Sequence, residues 1–486
     1  MPKRRQTINR KTLIRGALLL GGTLVILTLG SLGLATFSVF NQSKTYLHSI
    51  KSGADATLLD AQSQKLAASS ETLINRLHLP WVAPFATFTG VNFSEITPEV
   101  SAAIKSSPYL LGADKPRSFL VAFQNSAEAR GTGGILGAFA IVKFDKGQMS
   151  VVKTGSNAIL QSLEEIPIPM PTEYSTLYRS DPAIWQNSNI SPHFPYGAQI
   201  WQALWKKQTG EQLDGVIAID PTMISHVLNS TQSITMKNGV EINADNVVQL
   251  TLKDAYKTYE TDNDARKQFL VDAMNSLFAQ FTNKGFSKLS MAQGIKKSIV
   301  ENRILIYLNV SKYEDFLAKT RLGGYLSEEP NNEYRVVIQN IDASKMDYYL
   351  AKEVSIACTK SGTTEVRVTT TNTVDATAAK DLPAYVLTRA DKTAPKGLIT
   401  GQHRFKVFIY GPVNSKVVSG ARSNTAGSPG GVAEERLRKI VVFDTDLQPG
   451  QSENFTATFT NGTGKLTYSD QPLVIPTKTN ISGGCS

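Results

Sequence analysis

The chain has few of the residues that carry metal and redox chemistry. Its 486 residues include only two cysteines, Cys358 and Cys485, and five histidines. Two cysteines exclude a disulfide-rich framework, and neither has the spacing of a metal ligand. In an oxidising compartment the two could form one bridge; two unpaired thiols are the alternative. The histidines are scattered without a second ligand at helical spacing, so we interpret them as structural.

The sequence also lacks a self-sufficient catalytic signature. Residues 131–134 (GTGG) are not followed by the Lys-Ser/Thr pair of a phosphate-binding loop. No nucleophile elbow of the Gly-x-Ser-x-Gly type is present. Whether the protein is an enzyme is therefore not determined by its motifs.

Charge is absent from residues 16–40, a run rich in Leu, Val, Ile, Gly and Ala. A helix rises about 1.5 Å per residue, so this run can span a hydrocarbon layer of roughly 30 Å. A cleaved signal peptide is the alternative, but its apolar core is usually about 7–15 residues long. The run therefore predicts an uncleaved transmembrane helix. The six cations that precede it, with no acid among them, are Lys3, Arg4, Arg5, Arg10, Lys11 and Arg15.

These cations predict the orientation of the chain. Basic residues on one flank retain that flank in the cytoplasm, so residues 1–15 form a cytoplasmic tail and the bulk lies outside the plasma membrane. The net charge of +10 falls to +4 when the six are set aside. No basic cluster follows residue 40, and we expect no nucleic-acid partner.

Beyond the membrane, the patterning predicts three segments. Residues 41–95 form a juxtamembrane helix and linker, which is either a stalk or packed on the folded body. In residues 96–330, strands and helices alternate, which predicts a layered α/β or α+β domain with a mixed sheet. Within it, Gly210 is expected to end one helix and Asp220 to cap the next. Residues 331–486 contain short alternating runs separated by turn residues, typical of an antiparallel β-sandwich.

The candidate site is a polar loop between two apolar strands. Residues 118–124, 135–144 and 148–153 predict three antiparallel strands, with residues 125–134 (NSAEARGTGG) as a loop. Backbone N–H groups exposed by glycine, together with the guanidinium of Arg130, suit a phosphate or carboxylate. The alternative is a structural turn in which Glu128 and Arg130 are paired.

This stretch resembles the domain-of-unknown-function family number 4012 of bacterial envelope proteins. In that family an apolar strand ends in Gln-Asn and is followed by Glu-x-Arg-x-x-Gly-Gly, as in residues 124–134 here. Further matches are residues 213–221 (LDGVIAIDP), 245–248 (DNVV), 264–266 (DAR), 344–350 (SKMDYYL) and 447–450 (LQPG). The resemblance covers most of the chain from about residue 45 and implies no known function.

A weaker resemblance is to LytR–CpsA–Psr phosphotransferases, which move glycopolymers from a polyprenyl-pyrophosphate lipid onto peptidoglycan. Their Arg/Asp-bearing loop corresponds to residues 124–134, and a later helix carries arginine shortly before Gln and Phe, to which residues 266–270 (RKQFL) are similar. By this resemblance Arg130 and Arg266 would converge on one pocket, clamp the pyrophosphate and act in catalysis. Asn125 or Glu128 would hold a divalent ion such as Mg²⁺. The candidate ligand-binding residues are Asn125, Glu128, Gly133, Gly134, Lys153 and Tyr256.

The chain departs from those enzymes at two places. Their third strand ends in Pro-Arg-Asp-Thr, where this chain has Lys153 and residues 154–157 (TGSN). Their paired arginines are replaced by Tyr256 and Tyr259. Fewer fixed cations stabilise less developing charge at a pyrophosphate. We therefore expect an envelope protein that binds a lipid-linked glycopolymer, with transfer of it as a further activity. A non-enzymatic scaffold or assembly factor acting through protein contacts is the alternative.

Overall fold

The computed structural model describes residues 34–77, 93–228, 233–282, 288–359, 362–388, 398–423, 430–462 and 464–482. Of the predicted transmembrane segment, residues 16–33 lie outside this range. Within it, no helix is both long enough and apolar enough to cross a membrane. The chain divides into two compact units. The first extends to Pro116 and includes Asp145–Gln148, and the second comprises Arg117–Phe144 and Met149–Ser486.

The first unit is helical. Its helices are α1 (34–52), α2 (Ala56–Leu77) and α3 (Thr97–Leu110). The single juxtamembrane helix expected from the apolar spacing is interrupted, because Gly53 adopts a left-handed φ of 70°, which ends a helix. Asp55 then accepts a hydrogen bond of 2.9 Å from the backbone N–H of Leu58 and starts α2. The helices share a small core around Tyr46, Ile50 and Leu59.

The second unit begins with a mixed five-stranded sheet in the order β3-β2-β1-β4-β7. Strand β1 pairs antiparallel with β2 and parallel with β4, and β4 pairs antiparallel with β7. A separate two-stranded sheet is formed by β5 and β6. The strands are β1 (Arg117–Arg130), β2 (Gly133–Asp145), β3 (Gln148–Ser156), β4 (Gly215–Ile219), β5 (Ser233–Thr235), β6 (Glu241–Asn243) and β7 (Ile304–Leu308). The mixed α/β class expected from the sequence is confirmed.

Helices pack on the mixed sheet. They are α4 (Thr172–Tyr178), α5 (Phe194–Thr209), α6 (Pro221–Leu228), α7 (247–258), α8 (Asn263–Thr282), α9 (Lys288–Val300) and α10 (Ser311–Ala318). On one face, Leu120 and Ala122 of β1 join a core that contains Trp201 and Trp205 of α5. Because side chains alternate along a strand, Phe123 points to the other face. It lies there with residues of α6, α7 and α8.

The capping signals read from the sequence place two of these helices correctly. Gly210 ends α5 with a φ of 77°, and Asp220 accepts a hydrogen bond of 2.8 Å from the N–H of Met223 in the first turn of α6. The middle turn of α7, Leu250–Asp254, is π-helical.

Residues 332–482, here called the two-sheet region, contain two five-stranded sheets ordered β13-β14-β11-β8-β16 and β12-β15-β10-β9-β17. Both contribute to one core, for example through Val407 of β11 and Val366 of β10. A short helix, α11 (Ala384–Leu387), follows β10. The strands are β8 (Asn332–Asn340), β9 (Leu350–Cys358), β10 (Thr363–Asn372), β11 (His403–Val413), β12 (Val417–Arg422), β13 (Gly431–Glu435), β14 (Arg438–Leu447), β15 (Ser452–Thr460), β16 (Leu466–Asp470) and β17 (Lys478–Ser482).

The expectation of a purely antiparallel region was wrong at two edges. Strand β16 pairs parallel with β8, and β17 pairs parallel with β9. In the second pairing Ser482 lies opposite Ala357, so the chain approaches Cys358 three residues before Cys485. Cys358 is disulfide-bonded. Cys485 lies outside the described residues, and the bridge between the two stays a prediction.

Candidate functional site

Strand β1 carries polar side chains into the interior where a loop was expected. It continues to Arg130, and Gln124, Asn125, Glu128 and Arg130 are each at most 7% exposed. Its register with β2 shifts twice, the second time between Asn125 and Ala129. Such bulges redirect side chains and are frequent next to functional sites. Residues 125–130 of the predicted loop therefore belong to a buried polar strand.

Arg130 is held by hydrogen bonds on all three guanidinium nitrogens. Nε and Nη2 donate to Oδ1 of Asn187 at 3.0 and 2.8 Å. Nη1 donates to the carbonyl oxygens of Ala129 and Asn340 at 2.8 and 3.2 Å, and Nη2 donates to Oε1 of Glu128 at 3.0 Å. A ligand bound by Arg130 would have to compete with these partners.

Glu128 links Arg130 to the two-sheet region. Its second carboxylate oxygen, Oε2, accepts a hydrogen bond from Nζ of Lys345. Lys345 is 2% exposed. Burial alone would lower the pKa of Lys345, but the negative charge of Glu128 raises it above its usual value. The carboxylate of Glu128 is thus shared by two buried cations.

Asp347 makes a second connection between β1 and the two-sheet region. Its Oδ2 accepts hydrogen bonds from the backbone N–H of Ala129 at 2.9 Å and from Nδ2 of Asn340 at 2.6 Å. Nε2 of His403 lies 3.2 Å from Oδ1. Burial opposes ionisation of Asp347, but the charge of His403 and these hydrogen bonds outweigh it and lower the pKa of the carboxyl.

The glycines after Arg130 permit close packing of the backbone. A Cβ atom on Gly131 would lie 2.3 Å from the carbonyl oxygen of Ile190, and one on Gly134 would lie 2.1 Å from that of Asn125. Gly133 has a φ of 135°, which side chains rarely adopt. Gly133 and Gly134 pair with Arg130 and Ala129 in the ladder, so backbone pairing explains these glycines without a ligand.

Arg266 lies in a different environment, between two aromatic rings. Its guanidinium carbon is 4.3 Å from the ring centroid of Tyr256 and 3.9 Å from that of Tyr385. The side chain is buried, and Nη2 donates to Oδ1 of Asn263. Among the described residues, Nε of Arg266 has no hydrogen-bond partner and no carboxylate forms an ion pair with this arginine. Stacking compensates only part of the cost of burying a cation.

One connected cluster joins most of the predicted site residues. Nδ2 of Asn125 donates to the hydroxyl of Tyr256 at 2.8 Å, and Nζ of Lys345 lies 6.0 Å from the centroid of the same ring. Arg130 is therefore connected to Arg266 through Glu128, Lys345 and Tyr256. Lys153 is separate. It is exposed, and its Nζ lies 5.2 Å from the ring centroid of Trp205, a residue of the core on the other face of the sheet.

An apolar cavity begins beside Asn125. Its volume is about 60 Å³, room for about four water-sized spheres. Leu270, one helical turn after Arg266 on α8, lines the cavity, as does Asn125. The residues that form it are Phe123, Gln124, Asn125, Gly137, Ala138, Pro221, Ile224, Val247, Thr251, Leu252, Leu270, Ala273, Met274 and Leu277.

The residues of this site do not fit the divalent ion that the resemblance to phosphotransferases implies. Both carboxylate oxygens of Glu128 are engaged by cations, and Mg²⁺ needs free oxygen ligands. Within the described part of the chain, no group of three His, Cys, Asp or Glu side chains could hold a metal. We therefore derive no step through a metal ion.

Sequence reasoning missed the partners that come from afar. Lys345, Asp347 and Tyr385 complete the cluster, and more than 200 residues separate Glu128 from Lys345. The sequence contained a signal for Lys345 and Asp347, since residues 344–350 were part of the family resemblance. Tyr385 lies two residues after Pro383 in a short helix and had no recognisable signal.

Residues 114–256 match the model of a family described as "Protein of unknown function (DUF4012)". This match confirms the family resemblance for the region that contains β1, its polar residues and Tyr256. No curated protein and no solved structure matches the chain.

Proposed function

We propose that this chain, whose residues 114–256 carry the domain of that family of unknown function, is a membrane-anchored protein of the bacterial cell envelope. Its extracytoplasmic part would bind a glycopolymer linked to a polyprenyl pyrophosphate. The observation that carries this proposal is the apolar cavity that begins at Asn125, to which the buried cation of Arg266 is connected through Tyr256.

The cavity suits the apolar part of such a lipid. Its lining is almost entirely aliphatic and aromatic, and apolar surface transferred there from water contributes roughly 25 cal/mol per Å². A volume of about 60 Å³ holds only a short part of a polyprenyl chain. We assign the cavity to the part of the chain next to the head group. Pockets of this kind combine an apolar lining with a few placed polar groups, here Gln124 and Asn125.

Arg266 suits the pyrophosphate. The residue is buried, is held by two tyrosine rings, and offers an Nε–H without a partner among the described residues. An anion placed there gains a charge-assisted hydrogen bond and neutralises a buried cation. The contacts from the cavity through Asn125 and Tyr256 to Arg266 support one amphiphilic ligand.

The geometry favours binding over transfer. Arg130, which the resemblance assigns to the pyrophosphate, is occupied by Asn187, Glu128 and two carbonyl oxygens. That leaves Arg266 for the anion among the described residues of the cluster, and one guanidinium stabilises less developing charge than an arginine clamp. Transfer of the glycopolymer is therefore the weaker part of the proposal.

The extracytoplasmic location rests on two observations. The six cations precede the uncharged run of residues 16–40, which predicts a cytoplasmic N-terminus. Cys358 is disulfide-bonded, and such bonds persist in oxidising compartments.

The test uses the full chain extracted in detergent and farnesyl pyrophosphate, a short analogue of the lipid. Isothermal titration should detect binding, with weaker binding of farnesol, which lacks the anion, and of inorganic pyrophosphate, which lacks the chain. Arg266→Gln should weaken binding by roughly 10–100-fold, since it removes a charge-assisted contact of about 1.5–3 kcal/mol. The matched control is Lys267→Gln, which removes a neighbouring cation of α8.

A second variant tests the cavity. Ala273 is 2% exposed and lines the apolar cavity. Ala273→Leu should therefore fill the cavity and weaken the binding of farnesyl pyrophosphate more than the binding of inorganic pyrophosphate. Equal binding of all three compounds, or unchanged affinity in both variants, would refute the proposal.

One observation favours the alternative function, a non-enzymatic scaffold. The network of Glu128, Arg130 and Asp347 ties β1 to the two-sheet region through Lys345 and Asn340. Such buried networks fix the position of one part of a fold against another. If the chain acts only as a scaffold, crosslinking in cells should capture the same partners from the Arg266→Gln variant.

A further inference from the structure

We propose that a second cavity of the same unit binds a saccharide unit of the glycopolymer, an inference that rests on the proposed function for the identity of the polymer. This cavity, here called the tyrosine-lined cavity, has a volume of about 230 Å³. That is smaller than the roughly 300–1,000 Å³ of pockets for drug-sized ligands. Its size suits one unit of a larger ligand.

The lining of the tyrosine-lined cavity is amphipathic. Val374, Pro383 and Val386 provide apolar surface, and Tyr348 and Tyr349 stand beside them with ring centroids 5.1 Å apart. The rings are only partly buried. A sugar ring has the matching character, because its C–H faces pack on aromatic and aliphatic surfaces while its hydroxyls point outward to polar groups.

Charged side chains of both signs complete the lining. Asp254 and Asp381 can accept hydrogen bonds from hydroxyls, while Lys253 and Lys257 can donate to them. The fifth charged residue, Lys345, shares the carboxylate of Glu128 with Arg130. The two aspartates and the two lysines carry equal and opposite charge, so the cavity does not select a multiply charged anion. A neutral polyhydroxyl ligand fits this balance better than a phosphate.

Lys253 and Asp254 lie close to the tyrosine pair. Nζ of Lys253 is 5.8 Å from the ring centroid of Tyr348 and 5.9 Å from that of Tyr349. Burial, the neighbouring Tyr348 and the negative charge of Asp254 raise the pKa of Tyr349 to about 12. Both hydroxyls are therefore neutral donors at physiological pH, as recognition of an uncharged sugar requires.

The π-helical turn Leu250–Asp254 separates the two cavities. Leu252 lines both of them, Thr251 lines only the apolar cavity, and Lys253 lines only the tyrosine-lined cavity. Single π-helical turns inside helices are frequently found at functional sites. Here the wider turn presents residues to a cavity on each side.

The cation proposed for the pyrophosphate is linked by contacts to both cavities. Arg266 and Lys345 contact the same two rings, Tyr256 and Tyr385. Asn125 at one end of the cluster lines the apolar cavity, and Lys345 at the other lines the tyrosine-lined cavity. The order of groups from one cavity to the other is thus apolar, cationic and amphipathic. A lipid, a pyrophosphate and a sugar follow one another in the same order.

The test is saturation-transfer NMR on the detergent-extracted full chain, with the methyl glycosides of N-acetylglucosamine, mannose and rhamnose as separate probes. Sodium pyrophosphate, which has no protons to observe, is tested on the same protein by isothermal titration. At least one glycoside should bind, and Tyr348→Ala should weaken it by about ten-fold through loss of ring packing. Asp254→Asn should weaken the same glycoside. Tyr313→Ala, on α10 and outside both cavities, is the matched control.

The outcomes separate this inference from the proposed function. If no glycoside binds, or if pyrophosphate binds and loses its affinity in Tyr348→Ala, the saccharide site is wrong, whatever farnesyl pyrophosphate does. If glycosides bind as expected and farnesyl pyrophosphate does not, only the lipid part of the proposed function fails. Should Tyr348→Ala unfold, as its melting temperature would show, Tyr349→Ala must give the ten-fold loss instead.

Discussion

The carboxylate of Glu128 should be among the most sensitive single positions of the fold. It is buried and shared by two cations, with Nη2 of Arg130 at 3.0 Å from Oε1 and Nζ of Lys345 in contact with Oε2. The variant Glu128→Gln keeps the size of the side chain and removes its charge. It leaves an ammonium and a guanidinium buried without the carboxylate that they share.

The magnitude follows from the cost of an unpaired buried charge. Removing one partner of a buried ion pair destabilises a protein by about 3–5 kcal/mol, which corresponds to a fall in melting temperature of roughly 6–12 °C in a large domain. The same substitution at an exposed pair costs about 0–1 kcal/mol. Glu365→Gln is the matched control, because Glu365 pairs with Arg367 at 3.0 Å on the surface.

The assay is thermal unfolding of the full chain in detergent, with the single variant Lys345→Met and the double variant Glu128→Gln/Lys345→Met included. Lysine and methionine have similar lengths, so the double variant removes the unpaired ammonium without leaving a large cavity. It should recover part of the lost stability, with a coupling free energy of about 0.5–3 kcal/mol. If Glu128→Gln melts like Glu365→Gln, or the two changes are additive, the shared-carboxylate reasoning is wrong.

Three further predictions concern acid stability, the disulfide and topology. Burial outweighs the attraction of Glu301 and lowers the pKa of His226 to about 4. Because the unfolded chain binds a proton at this histidine that the folded chain does not, the free energy of unfolding should fall as the pH drops from about 6.5 to 4. His226→Gln should flatten this part of the profile of melting temperature against pH. Cys358 and Cys485 should not react with a thiol reagent in the denatured, unreduced chain. Reduction of the bridge should lower the free energy of unfolding by up to about 4–5 kcal/mol by chain-entropy models. Labelling of both cysteines without reductant would exclude the bridge. A protease added to intact protoplasts should digest the chain after residue 40, and a protected C-terminus would overturn the predicted orientation.

Local signals predicted the elements whose ends are determined locally. Gly210 and Asp220 end and begin helices through their own backbone and side-chain geometry, which the sequence shows directly. The break at Gly53 was missed because apolar residues recur at helical spacing on both sides of it. The helical periodicity therefore predicted each of the two helices correctly but wrongly indicated that they form one continuous helix.

The polar half of β1 could not be predicted from local signals. Polar residues and glycines next to an apolar strand are typical of a loop, and here they form a strand because distant groups satisfy them. The backbone N–H of Ala129 bonds to Asp347, and the carbonyl oxygen of Arg130 accepts a hydrogen bond from Gln471. Those partners lie hundreds of residues away, so only the folded chain supplies the reason for the strand.

The two arginines predicted for one anion differ in what a ligand could gain from them. Arg130 already donates from Nε, Nη1 and Nη2 to protein oxygens, so an incoming phosphate would replace hydrogen bonds of similar strength. Arg266 has an unpartnered Nε among the described residues and stacks on the rings of Tyr256 and Tyr385. Binding free energy is a difference between the two states. A phosphate therefore gains more at Arg266, while Arg130 contributes to the stability of the fold.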